Sequence, residues 1–519
     1  MKSILFCPLS ATLLYAWLVT TSFSSLSAQA VISTLDEGHA DGERRNQWVY
    51  TNQSGYQLAQ RQLKLIPQAE PRPALSVTLI PNEFELLDGN AAVQYLQALA
   101  FAEQQYALER MREFSRESRQ AVEAAGLDFS QAEPYVWLET SPRDLPLERV
   151  RKYLDYSSFQ SRYLEQAVLR RHCDFDRNMR AVANPIGYLL PEIQALRELA
   201  RLQSMRYRLA IAEDRPHDAL SIFGQQLALG HHLDEEQFLV SNLVGIAIAS
   251  MGVDDAYFLS EQANTPNLYW ALAALPQPLV SMRAALAYER EFLFEQFKQL
   301  REVDDTPQPA IYWRRFVEAQ AENLKNSDSF GDLPPAAYSP EGLTLIIATA
   351  YPGAKLFLVE ETGMDVASVE ALPVTQTVML AIRRVHEQMR DEVFKVNYVP
   401  QHLRGKFAPD PTLGDMQDKY GWVTTLSSNY LPGIEAATAA SARLQQQLAL
   451  LQTVEAIRDY LSRHDGQLPG ALSDLQLPAP HDPLTQQPFA YRVEQARATL
   501  SAATAGHIKY ELELLTQPE

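Results

Sequence analysis

The sequence predicts a mainly α-helical protein of packed helical hairpins, TPR-like in part, that ends in a small C-terminal α+β domain. Apolar residues recur at three- and four-residue steps through residues 190–202 and again through residues 444–461. Close to the end of the chain, apolar and charged residues alternate over residues 508–514, which is the period of a β-strand. We therefore expect helices through most of the chain and a sheet after the last helix.

The first thirty residues have the three parts of a secretory signal peptide. Lys2 supplies the positive charge, an apolar run extends from Ile4 to about Val19, and residues 28–30 form an A-x-A cleavage site. A retained membrane anchor is the alternative, but the apolar run is short for a membrane span. We expect cleavage near Ala30, and a mature chain that is exported, either periplasmic or extracellular.

Charge and cysteine content limit the possible partners and sites. The 519 residues carry a formal net charge of −19, and loss of Lys2 with the signal peptide takes it to −20. Such an acidic chain argues against nucleic acid and anionic lipid as partners. Cleavage also removes Cys7 and leaves Cys173 alone, which excludes an intramolecular disulfide and a Cys-rich zinc site.

The first half of the mature chain divides into an extended or loosely ordered lead-in over residues 31–75 and a helical domain over residues 76–325. Asp88 or Asn90 can cap the first helix of that domain. The helical pattern of residues 190–232 breaks just before Pro216, which suits the first turn of a new helix. This predicts a helix–turn–helix hairpin of the TPR type, without the repeat of about 34 residues that a solenoid needs.

Three predictions concern the segments that follow this hairpin. Residues 237–253 are expected to form a buried core helix, because the run is short for a membrane span and contains polar residues. The Pro-rich stretch 326–342 is expected to be a linker, and residues 343–429 a helical segment.

The tail, residues 430–519, is predicted to be one long amphipathic helix followed by a small antiparallel sheet. The Pro-rich stretch between them has the chemistry of turns. Gly466 can adopt the positive φ of a helix end, and Asp482 before Pro483 can form an Asx-type turn.

The tail stretch "AIRDYLSRHDGQLPGALSDL…PAPHDPLTQQPFAYR" resembles the globular domain of type II secretion pseudopilins, and "YLPGIEAATAASARL" resembles the helix that leads into that domain. The chain as a whole is similar to a family of uncharacterised exported bacterial proteins. The segments that carry this resemblance are "LLDGNAAVQYLQAL", "RRHCDFD" and "LVGIAIA". The resemblance implies a pseudopilin-like fold for the tail and carries no known activity.

Several residues have side chains that can bind a metal ion or act as a nucleophile. His231 and His232, followed by acidic residues 234–236, could attract a metal, although neighbouring helical side chains diverge. Cys173 beside His172 could suggest a nucleophile, but a buried apolar role is favoured because no protease signature surrounds it.

One further histidine and several carboxylates are also candidate metal ligands. His386 begins a zincin-like pattern that fails, because Arg390 occupies the second histidine position. Glu289, Glu291 and Glu295 are better explained as a charged helix face than as a di-iron set. Asp474 and Asp482 are too sparse for a calcium loop. No cofactor-binding or metal-binding residue is therefore predicted, and catalytic residues stay unknown, because a carboxylate pair for general acid/base chemistry need not be close in sequence.

These observations favour a non-catalytic envelope interaction or scaffold protein, with protein partners in the cell envelope and no integral membrane span in the mature chain. A periplasmic enzyme of hydrolase type, with a site assembled from scattered helices, is the alternative. Membership of a pseudopilus is a third possibility, opposed by the lack of a membrane span before the tail helix.

Overall fold

The protein is mostly helical, with 61% of its residues in helices and a small sheet near its C-terminus, as the sequence predicts. The computed structural model describes residues 46–100, 102–128, 131–179, 182, 188, 190–325, 335–407, 416, 418–424 and 432–516. The predicted signal peptide and residues 326–334 of the predicted linker lie outside the described residues.

Two compact units share these residues. The sheet unit takes its described residues from Val31–Arg177, Leu190–Ala285 and Thr438–Glu519. The helical unit takes its described residues from Asn178–Leu189 and Leu286–Ala437. This division differs from the predicted one, in which residues 76–325, 343–429 and 430–519 followed each other as separate parts, because the sheet unit combines segments from both ends of the chain.

The sheet unit contains eight of the helices described below, which we number in chain order. They are α1 (Ala91–Ala100), α2 (Ala102–Ala124), α3 (Leu147–Asp155), α4 (Phe159–Ala167), α5 (Pro191–Ala212), α6 (Pro216–His232), α7 (Leu239–Ala256) and α8 (Tyr269–Ala273). Asn90 caps α1, as predicted, since its side-chain oxygen accepts from the Ala92 N–H at 3.0 Å. The apolar α7 is buried on almost every side, which confirms the core helix predicted for residues 237–253.

The helical unit contains α10 (Ala310–Lys325), α11 (Pro340–Glu360), α12 (Val366–Ala371) and α13 (Val374–Lys395). The boundary between the units falls within α9 (Arg283–Gln296) and α14 (Pro432–Arg463). Ser339 caps α11 through the Gly342 N–H at 3.0 Å, so the last part of the predicted 326–342 linker belongs to an ordered helix start.

A five-stranded sheet in the sheet unit combines strands from the N-terminal and C-terminal parts of the chain. Its strands are β1 (Val49–Gln53), β2 (Tyr56–Leu65), β5 (Ala490–Glu494), β6 (Arg497–Ser501) and β7 (Ile508–Thr516), in the order β1-β2-β7-β6-β5. Strands β2 and β7 are parallel, and the other pairs are antiparallel. A separate parallel pair joins β3 (Leu87–Asn90) to β4 (Arg170–His172).

The sheet corrects two expectations. The predicted lead-in, residues 31–75, contains the β1–β2 hairpin in its described part, and the tail sheet is mixed rather than antiparallel. The residues of β2 alternate between buried and less buried positions, with Ala59, Leu63 and Leu65 fully buried. The lead-in lacks the long apolar runs that mark helices, and its strand is stabilised by pairing with β7, about 450 residues later in the sequence.

The predicted helical hairpin is present as α5 and α6, but TPR-like packing is not confirmed. Asp214, with φ of +55°, makes the turn between the two helices. The tight approach in this region is between α6 and α7, where Gly230 and Gly245 bring the two backbones together.

Within the described residues, two helical stretches are long and apolar enough to cross a membrane by length and composition. They are Leu239–Glu261, with 78% of its most apolar window buried, and Pro340–Glu360, with 28% buried. The first stretch is a core helix of the sheet unit. The second stretch is α11, and most residues of its apolar window are not buried.

Candidate functional site

Cys173 and His172 do not form a nucleophile pair. The Cys173 side chain is 1% exposed, and burial raises the pKa of its thiol far above the ordinary value. The neighbouring His172 is exposed, and its ring nitrogen lies 3.9 Å from the Glu235 carboxylate. Because the reactive form of cysteine is the thiolate, Cys173 acts as a small buried apolar residue, as the sequence favoured.

The adjacent histidines turn to different partners. His231 Nδ1 lies 2.9 Å from the Leu279 carbonyl oxygen and 3.3 Å from the Asp234 carboxylate. His232 uses both ring nitrogens, Nδ1 at 2.7 Å from the Tyr95 hydroxyl and Nε2 at 3.0 Å from the Arg170 carbonyl oxygen. A carbonyl only accepts, so Nε2 carries the proton and Nδ1 accepts from tyrosine.

Burial lowers the pKa of His232 to about 4, so the ring is neutral at physiological pH and fully hydrogen-bonded. A metal at His232 would have to displace the Tyr95 or Arg170 bond. Among the described residues, no group of three or more His, Cys, Asp or Glu side chains is placed to hold a metal ion.

Two of the three acidic candidates of the helical unit are ion-paired. Glu291 and Glu295 lie 3.2 Å and 3.4 Å from Arg301. His386 is 1% exposed, packs edge-on against Phe294, and burial lowers its pKa to about 4. These contacts agree with a structural role for the three residues.

Asp482 organises the turn that follows α14. Its carboxylate accepts from the Leu484 N–H at 2.8 Å, which is the predicted Asx-type turn, and from the Ala503 N–H at 2.8 Å. Gln446 on α14 adds two bonds of 3.0 Å. Asp474 instead accepts from the Ala471 N–H at 2.8 Å, so the two aspartates belong to different turns.

A second buried polar network ties the N-terminal segment to α14. Arg458 is fully buried, pairs with Glu455 at 2.9 Å, and donates to the Ile66 carbonyl and the Thr265 hydroxyl. The Glu455 carboxylate also accepts from the Leu268 N–H at 2.8 Å. The charged groups of this network neutralise each other, which is the pattern of a structural ion pair.

A third polar group surrounds a buried arginine, and one of its buried atoms, Tyr257 Oη, has no hydrogen-bond partner among the described residues. We call it the Arg61 site, and its members are Trp48, Tyr50, Arg61, Asp254, Tyr257, Arg443 and Tyr510. All of them belong to the sheet unit. They come from the N-terminal hairpin, the end of α7, the first half of α14, and β7.

Arg61 lies on the buried face of β2 and is 4% exposed. Its Nε donates to the Asn46 side-chain oxygen at 2.7 Å. Aromatic rings surround the guanidinium carbon, with ring centres 4.7 Å away for Tyr257, 5.3 Å for Phe258 and 5.6 Å for Trp48. Burial lowers the pKa of Arg61, against the effect of nearby Asp254.

Asp254 accepts from the Trp48 indole N–H at 2.8 Å. Burial raises the pKa of its carboxyl to about 6, although Arg61 and the indole both oppose that rise. The neighbouring Asp255 is 1% exposed and pairs with Arg208 at 3.1 Å. The two adjacent aspartates thus have separate environments, one beside the aromatic group and one in an ion pair.

Three polar atoms at this end of the sheet unit are buried and have no hydrogen-bond partner among the described residues, namely Tyr207 Oη, Tyr257 Oη and the second Asp255 oxygen. Such atoms are uncommon in folded proteins, and they are candidates for a hydrogen bond to a water molecule or a ligand. The Arg61 site was not predicted, because its residues are distant in sequence. A sequence signal existed, since the alternation of residues 56–65 places an arginine among inward-facing residues.

Comparisons with known proteins give no relative to set beside this site. No protein-family model, no curated protein and no solved structure matches the chain. The Arg61 site, with its buried guanidinium, its aromatic rings and its weakly acidic carboxyl, is therefore the candidate functional site on its own geometry.

Proposed function

We propose that the chain is an exported protein of the cell envelope that acts by binding a partner protein and not by catalysis, with a pseudopilin-like tail. The observation that carries the proposal is the exposed apolar side of α11. Leu345 is 67% exposed and Leu356 is 39% exposed. Exposed residues Ala348, Thr349 and Pro352 lie between them at helical spacing, so they share one side of the helix.

The comparison with α7 supports this proposal. The stretches Leu239–Glu261 and Pro340–Glu360 have similar mean hydropathy, 1.4 and 1.5, but 78% of the first window is buried and only 28% of the second. Contiguous exposed apolar surface marks interaction sites in soluble proteins. The acidic net charge of −19 disfavours an anionic lipid surface as the partner, so we propose a protein.

The test is capture of the tagged full chain from gently crosslinked native envelopes. The double variant Leu345→Glu/Leu356→Glu places two charges on the exposed side of α11. Ala319→Glu, at an exposed position of α10, is the matched control. We expect a stoichiometric partner with the wild type and the control, and its loss with the double variant.

Equal capture by all three proteins would refute a role for α11 in partner binding. Recovery of the wild type with floated lipid vesicles, lost in the double variant, would show that the apolar side contacts membrane. N-terminal sequencing of the captured protein tests export, and the expected first residue is Val31.

A periplasmic enzyme of hydrolase type is the second candidate, and one observation favours it. Asp254 combines a pKa of about 6 with a neighbouring buried arginine and a Tyr257 hydroxyl that has no partner among the described residues. Perturbed carboxyl groups of this kind are enriched in active sites. Chromogenic ester, phosphate and glycoside substrates, assayed between pH 5 and pH 8, test this candidate. Turnover that disappears in Asp254→Asn would establish it.

A further inference from the structure

We propose that the Arg61 site binds a small organic anion, whose carboxylate or phosphate group pairs with the Arg61 guanidinium. This inference does not rest on the proposed partner binding. It starts from the terminal nitrogens of Arg61, to which the structure gives no hydrogen bond and no carboxylate within ion-pair distance among the described residues.

Other deeply buried arginines of the sheet unit show the contrast. Arg458 uses its terminal nitrogens on Glu455 and Thr265. Arg177 reaches Glu192 with a terminal nitrogen and Glu236 with Nε, and Arg208 donates to the Thr140 carbonyl at 2.8 Å. A buried charge normally has such partners, because desolvation without them is costly. Within the described part of the chain, Arg61 therefore has donors that are free for an oxyanion.

The guanidinium of Arg61 favours an anion over a cation. Asp255 pairs with Arg208 at 3.1 Å, and Asp254 is the carboxylate with the largest electrostatic effect on Arg61. Because no carboxylate lies within ion-pair distance of Arg61 among the described residues, an oxyanion at its terminal nitrogens would form charge-assisted hydrogen bonds.

The aromatic side chains indicate that the anion is organic. Tyr50, Ala59 and Tyr510 are paired across three neighbouring strands and thus lie in one row on one face of the sheet. The small Ala59 separates the two tyrosines, and Trp48 packs against Tyr510 at 5.2 Å between ring centres. A flat apolar group attached to the anion would contact these rings.

Access to Arg61 comes from the outer members of the site. Arg61, Tyr257 and Tyr510 are buried. Trp48, Tyr50, Asp254 and Arg443 are intermediate in exposure, and a ligand would reach Arg61 past these residues. Apolar and aromatic side chains with a few polar groups line most small-molecule sites.

The experiment is isothermal titration calorimetry of the full chain with benzoate, acetate, inorganic phosphate and the neutral isostere benzamide. We expect saturable binding of benzoate with a Kd of about 1 mM or below. Acetate should bind about tenfold more weakly for lack of a ring. Benzamide should show no saturable binding, and competition between benzoate and phosphate will show whether one site takes both groups.

Arg61→Met removes the charge and keeps most of the volume, a change that buried sites often tolerate. It should abolish benzoate binding. Arg497→Met, which removes an exposed arginine of β6, is the control and should bind like the wild type. If Arg61→Met does not fold, Arg61→Lys tests the proposal instead. We expect its affinity for benzoate to be about tenfold lower or more, because a point charge replaces the guanidinium fork.

Three results would overturn the proposal. The first is a wild type without saturable binding of benzoate or phosphate up to about 10 mM. The second is a folded Arg61→Met or Arg61→Lys variant with wild-type affinity. The third is equal binding of benzoate and benzamide, which would show an apolar site without a role for charge.

Discussion

Gly230 and Gly245 place the backbones of α6 and α7 in direct contact. A Cβ atom on Gly230 would lie 2.8 Å from the Gly245 carbonyl oxygen, and a Cβ on Gly245 would lie 2.8 Å from the Gly230 carbonyl oxygen. Real Cβ atoms do not approach a backbone oxygen so closely, so an added methyl group must separate the helices.

Gly230→Ala and Gly245→Ala should each lower the free energy of unfolding by about 1–3 kcal/mol, the usual cost of overpacking a core. Urea unfolding followed by circular dichroism measures the change. Gly433→Ala is the control, since no atom lies within 4 Å of its added Cβ. That variant should be neutral or slightly stabilised, and equal behaviour of all three would contradict the close contact.

Asp254 should make the protein more stable at low pH. Its folded pKa of about 6 lies above the ordinary value of 3.8, so the folded state holds the proton more tightly than the unfolded state does. The stabilisation is complete below pH 4 and is lost as pH rises through 6. The groups that face Asp254 are Trp48, Tyr50, Arg61, Arg208, Asp255, Tyr257 and Tyr510.

Asp254→Asn keeps an acceptor for the Trp48 N–H and removes the charge. We expect it to raise the free energy of unfolding at pH 7 by about 1–3 kcal/mol, and to have little effect at pH 4. Thermal unfolding of both proteins from pH 4 to pH 7 tests this. Asp218→Asn at an exposed position serves as the control. A variant with no gain at pH 7 would show that the Asp254 carboxylate is well compensated.

His232 should have the opposite pH dependence. Its folded pKa of about 4 lies below the ordinary 6.5, so the unfolded state takes up the proton first and stability falls as pH decreases from 6.5 towards 4. His232→Phe leaves the Tyr95 hydroxyl and the Arg170 carbonyl without partners. It should cost about 2–4 kcal/mol at pH 7.

The difference between His232→Phe and the wild type should shrink at pH 4.5, because the variant lacks the titrating ring. Urea unfolding at both pH values measures this. Tyr95→Phe is the matched control, since it removes one hydrogen bond and keeps the histidine, and it should retain the wild-type loss of stability in acid. A constant difference for His232→Phe at both pH values would argue against a neutral buried ring.

The pairing of β2 with β7 predicts that the tail is not an independent domain. Residues 432–516 alone would expose the edge of β7, which β2 covers along Gln57–Leu65 in the whole chain. We expect this fragment to aggregate, and a form with residues 46–65 fused through a flexible linker to be more soluble. Size-exclusion chromatography compares the two. A monomeric, cooperatively folded fragment without the hairpin would contradict the prediction.

Local sequence patterns are sufficient to predict the long helices and the turn in the tail. The apolar steps of residues 444–461 predict α14, because one side of that helix is buried along its length. Asp482 before Pro483 predicts the Asx-type turn, since the donor lies two residues away. Contacts of this range depend on neighbouring residues alone.

Long-range contacts decided the candidate site. Residues 31–75 are expected to be a loose lead-in because they mix charged residues, Gln, Asn and Pro with few apolar repeats, whereas β2 in this segment pairs with β7 at the other end of the chain. That pairing places Arg61 of β2 beside Asp254 at the end of α7 and Tyr510 of β7. Their proximity follows from the register of a parallel strand pair, which no local periodicity encodes.

The sequence by itself therefore determined the helical class, the positions of the long helices and the turn chemistry of the tail, since each depends on spacing within a few residues. The tertiary structure alone decided that both ends of the chain share one sheet. It also decided that Arg61 is buried without a partner for its terminal nitrogens among the described residues, because burial and charge compensation depend on segments that are distant in sequence.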